Sequence, residues 1–394
     1  MRIGSPSPQT RVMLIAVSAI SLSVLPVFLV GSLAVQIRAS LGFGEAGLGA
    51  ALTAYFGTAG LLARRGARLT RRLGAPASII VGSIGTALAL LLIATAARSF
   101  ALLFGFLVLA GVARTVTDPG TALLFAEHID TSKQGLAFGV RDAAIPASTF
   151  LAGLAVPAVA LTIGWRWAFA MSPLLLGLVL YLRPRGAAEA SRTAADPSGR
   201  VAPSAPMYLI AAGAGFGIAA ATALGTFIVD YAVSAGLSGG SAGLLLSLAS
   251  VIGIGFRVGA GMFADRGRRD SLATIAVMLV TGAGGLALLA ASGSGLAIAL
   301  GTLTGVTVGW GWAGLLFLSL VRANPDTPSV SAGIALAGLS IGGALGPLLF
   351  GLVVAAAGYR AAWAIGATSM LVAAGMVLAG RSRLARGTAK RAKA

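Results

Sequence analysis

The chain has 394 residues, 57 % of them hydrophobic and 10 % charged. With a mean hydropathy of +0.93, this excludes a water-soluble domain of such length. The 29 Lys and Arg outnumber the 11 Asp and Glu and give a formal charge of +18, while the absence of Cys and the single His, His128, argue against disulfide, thiolate and metal chemistry.

A helix crossing a ~30 Å hydrocarbon core needs about 20 apolar residues. Stretches of that kind predict twelve membrane segments, at 12–36, 46–63, 77–97, 100–126, 135–163, 166–182, 207–235, 240–264, 272–292, 294–321, 330–357 and 361–380. The first is too long for a signal-peptide core and no small-residue cleavage site follows it, so it is expected to remain as a helix, with Pro26 as a kink or hinge. After the second segment comes a basic loop, ARLTRRLG from Ala67, and after the fourth the EHID stretch, where His128 reads as a solvated loop residue. Residues 183–206 are polar and rich in Pro, Ala and Ser, as in a flexible linker. The expected division is a six-helix bundle at 1–182, a cytoplasmic linker at 183–206 and a second six-helix bundle at 207–394.

The loops that alternate along this order are unequal in charge. One set carries Arg64, Arg65, Arg68, Arg71, Arg72, Lys133, Arg183, Arg266, Arg268, Arg269 and the six Lys and Arg after Gly380, whereas the other holds Arg38, Arg98, Arg166 and Arg360. By the positive-inside rule both termini are expected in the cytoplasm of a bacterial inner membrane. The net charge is then a topology signal, and no nucleic-acid partner is expected.

The two halves read as copies. GEAGL from Gly44 matches GSAGL from Gly240 at an offset of 196, GWRWAF from Gly164 pairs with GYRAAW from Gly358 at 194, and ARLTRRLG from Ala67 falls 194 before GMFADRGRR from Gly261. Such a parallel duplication places a binding site between the halves near the midplane.

GMFADRGRR closely resembles the loop signature of the major facilitator superfamily between its eighth and ninth helices. The first-half copy has Ala67 for the Gly and Arg71 for the Asp. GVRDAAIP (139–146), GWGWAGLL (309–316) and GALGPLLFG (343–351) resemble the fifth, tenth and eleventh helices of bacterial facilitators around the cyanate and nitroimidazole transporters. The resemblance implies an all-α membrane fold of twelve helices in two pseudo-symmetric bundles, with Gly261, Asp265 and Arg266 stabilising one access state. The Gly-Pro pair of drug/proton antiporters is missing from the fifth segment; Gly346 and Pro347 lie in the eleventh. The spacing from Arg257 to Asp265 also resembles the eighth helix of monocarboxylate porters, in which the Arg acts on anions.

A charge at the bilayer centre costs roughly 2.5 to 3.5 kcal/mol even on lenient scales, so each one is expected to face protein, water or a partner. Arg114 and Asp118 stand four apart and share a helix face, as a structural pair or as part of a site. Arg141 and Asp142 are adjacent, diverge by about 100°, and read as gate residues near the interface. Asp230 reads either as a wet helix end or, with Asp118, as a carboxylate for proton coupling. Arg257 has no acid within helical reach and needs a partner from another helix or an anionic ligand. Trp310 and Trp312 read as cavity lining or as packing.

These features point to a secondary active transporter, acting as a monomer in the lipid bilayer, that moves a small anionic or amphipathic organic solute by alternating access with a proton as coupling ion. A proton-coupled drug efflux antiporter is the alternative, and a non-transporting receptor a third reading. Neither an enzyme nor a cofactor is expected.

Overall fold

The computed structural model describes residues 8–128, 134–183, 205–265, 271–323 and 328–391. Among these residues the regular elements are helices: α1 Pro8–Ser32, α2 Ala34–Leu41, α3 Glu45–Leu73, α4 Ala75–Ala96, α5 Phe100–His128, α6 Gln134–Asp142, α7 Ala144–Ala155, a π-helical turn Val156–Ala160, α8 Trp165–Ala170, α9 Ser172–Leu182, α10 Ala205–Ser234, α11 Gly239–Asp265, α12 Ser271–Ala291, α13 Gly295–Thr307, α14 Ala313–Ala323 and α15 Pro328–Arg391. Ten helical spans are long and apolar enough to cross a membrane. The span within α15 is 52 residues long, more than twice what one crossing needs, and the backbone turns inside it at Gly358, which has φ 79°. Adding the passage formed by α13 and α14 gives twelve crossings among the described residues.

Several predicted boundaries shift. The basic stretch from Ala67 is not a loop: α3 continues through Arg64, Arg65, Arg68, Arg71 and Arg72 to Leu73. Ala, Leu and Arg are good helix formers and nothing interrupts them before Gly74, whose φ of 78° ends the helix. His128 is likewise no loop residue; it closes α5, with Nδ1 3.1 Å from the Leu124 carbonyl. The linker core 184–204 and the loop 266–270 lie outside the described residues.

The repeats in sequence recur as turns. Gly42 (φ 70°) and Gly236 (φ 101°) precede the GEAGL and GSAGL copies, and Gly164 (φ 105°) and Gly358 (φ 79°) open GWRWAF and GYRAAW. Both pairs stand 194 residues apart and occupy the left-handed region that side chains with a Cβ avoid. The same turn is thus built twice, from the residue that tolerates it.

α1 is the innermost crossing, with 83 % of its apolar window buried against 28 % for α3. It packs on α5, α7, α9 and α10, while α3 and α10 both pack on α15, and α11 on α6 and α7. The outer surface is apolar, with Leu61, Leu174, Leu296 and Val277 each more than 60 % exposed. In water that would be an aggregation surface; in a bilayer it is the lipid face.

Small residues set the helix spacing. A Cβ on Gly31 of α1 would stand 2.5 Å from the Thr226 carbonyl of α10, and one on Gly139 of α6 would stand 2.7 Å from the Arg257 carbonyl of α11. These backbones are in direct contact, as expected where lipid offers no hydrophobic drive for association.

Candidate substrate and coupling site

One membrane crossing is interrupted beside the point where another lacks a backbone hydrogen bond. Pro146 has no N–H to give the carbonyl four residues earlier, that of Asp142, so one backbone hydrogen bond is missing between α6 and α7, although Ala143 between them keeps helical φ and ψ and the crossing runs on as one span. Between α13 and α14 the GWGW stretch forms turns rather than helix, with glycines at 309 and 311. Irregular backbone at membrane depth persists only where protein or a cavity satisfies it.

Arg257 of α11 lies between these two places. Its side chain is 1 % exposed, and its Nε stands 3.2 Å from Oδ2 of Asp142, whose side chain is 14 % exposed. Nη2 donates to the Trp310 carbonyl at 2.9 Å, and the guanidinium lies 5.5 Å from the centre of the Trp310 ring. The ion pair is close but not aligned for hydrogen bonding: Nε and Nη1 of Arg257 and Oδ2 of Asp142 have no hydrogen-bond partner. Gly314, in the first turn of α14, lies against the Asp142 carboxylate, where a Cβ would meet Oδ2 at 3.7 Å. A narrow cleft here is lined by Asp142, Arg257, Ala260, Gly139, Gly261 and Gly314, among others.

At one end of the bundle four side chains from separate helices converge. Arg38 of α2 donates from Nη2 to Glu45 of α3 at 2.5 Å and from Nη1 to Asp230 of α10 at 2.6 Å. The Tyr359 hydroxyl of α15 donates to the same Asp230 oxygen. Asp230 is 5 % exposed, so it is not a wet helix end: its carboxylate is held under the chain by partners that sequence proximity does not reveal. Burial alone would lower the Arg38 pKa, but the carboxylates of Asp230 and Glu45 outweigh it and hold the guanidinium above its usual value.

Arg114 and Asp118 of α5 pair at 2.9 Å (Nε to Oδ2), with side chains 21 % and 29 % exposed. The guanidinium also stacks 5.6 Å from the Tyr55 ring and 5.5 Å from that of Phe56. Tyr55 in turn donates to the Ser23 carbonyl at 2.6 Å, which ties α1, α3 and α5 together. One oxygen of Asp118, Oδ1, is buried without a partner.

A family model described as Major Facilitator Superfamily matches residues 13–333. The chain belongs to the major facilitator superfamily. It is therefore a multi-pass membrane transporter rather than an enzyme. Among solved structures, that of the human organic anion transporter MFSD10 (TETRAN) matches with a TM-score of 0.67 and 16 % identity, over 94 % of this chain and all of that one. At that identity the likeness carries the fold. Comparison with curated protein sequences gives no match.

Within this facilitator the residues singled out in the sequence fall into separate places. Asp142 and Arg257 meet each other, with Gly261 beside them. Arg141 is partly buried, and its Nε has no partner. Arg114 and Asp118 form their own pair, and Asp230 stands apart in the Arg38 cluster. Trp312, fully buried, bonds the Gly309 carbonyl and packs into a core with Leu279 and Met278. Trp310 packs against Phe28 and Arg257. Arg266 and the side chain of Asp265 lie outside the described residues.

Arg38, Glu45, Tyr55 and Tyr359 are the groups that sequence reasoning passed over. Arg38 was visible only as one of the few charges in its set of loops. That rarity is the one signal that could have marked it.

Proposed function

We propose that this facilitator carries a small organic anion across a bacterial inner membrane by alternating access between the halves 1–182 and 207–394, with a proton as coupling ion and both termini in the cytoplasm. The observation that carries the substrate class is Arg257. A permanently charged guanidinium, 1 % exposed and with two donor nitrogens making no hydrogen bond, stands beside the interrupted GWGW crossing, and irregular backbone at membrane depth is a common feature of transporter substrate sites. Its planar fork suits a carboxylate. The Trp310 ring beside it would add an apolar face for the rest of an amphipathic solute.

The rocking motion has a counterpart in the seams. Arg38 with Asp230, and Arg257 with Asp142, each link a side chain from the first half to one from the second. Opening at either end must separate the pair that closes it. The charge asymmetry of the loops puts the Arg38 cluster on the outer side.

A thermal-shift screen of the detergent-purified chain against organic carboxylates and lipophilic cations tests the substrate class, because a ligand that binds only the folded state raises the melting temperature. Stabilisation by carboxylates, lost in Arg257→Ala and weakened in Arg257→Lys, supports the anion. Stabilisation by lipophilic cations alone sinks it and turns the assignment to drug efflux.

A further inference from the structure

The cation of this site is already held by the protein's own carboxylate. Asp142 occupies the position a cargo anion would take, facing the Arg257 guanidinium and lying against the first turn of α14 at Gly314. We propose that Asp142 is the proton-carrying group of the cycle, and that its carboxylate and the carboxylate of a substrate compete for a single anion position formed by Arg257 and the N-terminal turn of α14. This rests on the reading of Arg257 as the anion-binding group.

Three observations carry it. The N-terminal turn of α14, an 11-residue helix, offers backbone N–H groups with no intrahelical acceptor, a natural seat for negative charge. Arg257 is buried beside that turn with Nη1 making no hydrogen bond and Nε only in ion-pair contact, so the anion now in place does not use its donors fully. Oδ2 of Asp142 lacks a hydrogen bond as well, although a carboxylate and a guanidinium in a relaxed pair would align two bonds. Asp142 fits the position only partly. Gly314 lines the cleft beside it and puts no side chain between the carboxylate and the first turn of α14.

The charged groups facing Asp142 are few. α11 contributes Arg257, and α6 itself contributes Arg141. α1 carries no charged residue between Arg11 and its end, α7 carries none, and α14 offers the Gly314 amide among its described side chains and backbone. Protonation of Asp142 therefore removes the one described negative charge opposite Arg257.

The cycle balances in charge. A proton adds to a carboxylate oxygen of Asp142, the ion pair becomes a cation facing a neutral acid, and a monocarboxylate takes the vacated position beside Arg257. After reorientation the anion leaves, the proton is released and the Asp142–Arg257 pair closes again. One proton and one monoanion cross together, with no net charge moved.

The test titrates benzoate, a small aromatic carboxylate, against the full-length wild type, Asp142→Asn and Arg257→Gln by thermal shift, at mildly acidic and at neutral pH. In the wild type the apparent affinity should fall about tenfold for each pH unit above the titration of Asp142. Asp142→Asn should bind equally at both pH values, as tightly as the wild type does in acid, and Arg257→Gln at neither. In proteoliposomes a pH gradient should drive benzoate accumulation by the wild type, whereas Asp142→Asn should only exchange it. If Asp142→Asn does not fold, Asp142→Ser is read in the same way. Should the asparagine variant keep the wild-type pH dependence while Arg257→Gln is silent, the proton is carried elsewhere and the inference fails with the Arg257 reading intact. A variant that merely melts lower with an unchanged pH profile overturns it too, as a structural latch would. Benzoate binding indifferent to Arg257→Gln, or absent from the wild type, removes the reading on which the inference stands.

Discussion

Truncating Arg257 leaves Asp142 as a buried charge without its ion-pair partner, with only Arg141 of its own helix as a remaining cation. Arg257→Ala is therefore expected to lower stability by about 3–5 kcal/mol, the usual result of removing one partner of a buried pair. Removing both members should cost less than removing one, so adding Asp142→Ala to Arg257→Ala should recover some of the lost melting temperature. Additive losses in that double-mutant cycle would mean that the two groups, 3.2 Å apart, do not stabilise each other. At this scale the sequence showed which residues carry charge inside the membrane and that Arg257 needed a partner from elsewhere. It could not name Asp142, because helix rotation and depth decide which of Arg141 and Asp142 faces inward.

Helices here meet through backbone rather than through large side chains, and the close contacts predict where bulk is harmful. A Cβ at position 139 would press on the Arg257 carbonyl and on Gly261. Gly139→Leu should cost about 1–3 kcal/mol through overpacking and should slow transport more than the same change at Gly57, where a Cβ meets nothing within 4 Å. Equal melting temperatures and rates for the two variants would show that the α6–α11 approach is not tight. The apolar runs were readable as crossings, and so were the glycines of the repeated turns, since both are local properties. The helical extension of α3 and the turns before Ala313 were not read, because hydropathy is blind to where a continuous apolar run changes its backbone.

Across the molecule, the Arg38 cluster joins α2 and α3 to α10 and α15. Breaking it should shift the conformational balance toward an opening at that end. An ion pair at this degree of burial is worth about 1 kcal/mol, or roughly a fivefold change in a two-state population. The absence of cysteine makes this measurable without background. In Thr226→Cys, a position 1 % exposed where α10 touches Gly31, a water-soluble maleimide should react several-fold faster once Asp230→Asn is added. An unchanged labelling rate would mean that Asp230 does not help to hold that seam. Orientation has its own check: a fluorescent protein fused after Ala394 should fold and emit if the C-terminus is cytoplasmic, and stay dark if it is exported.

The sequence by itself determined the solvent, the number of crossings, the superfamily signature and the doubled plan of turns. Each depends on composition or on residues close together in the chain: twenty apolar residues span a bilayer whatever surrounds them, and a glycine takes φ near 80° through its own lack of a Cβ. The tertiary structure alone decided which charges meet. Arg38 and Asp230 are 192 residues apart, Arg257 and Asp142 come from different halves, and only the packing of α1 on α10 and of α6 on α11 brings them within bonding distance. A buried charge selects its partner through the geometry of the helices that carry it, and one strand of letters does not record that geometry.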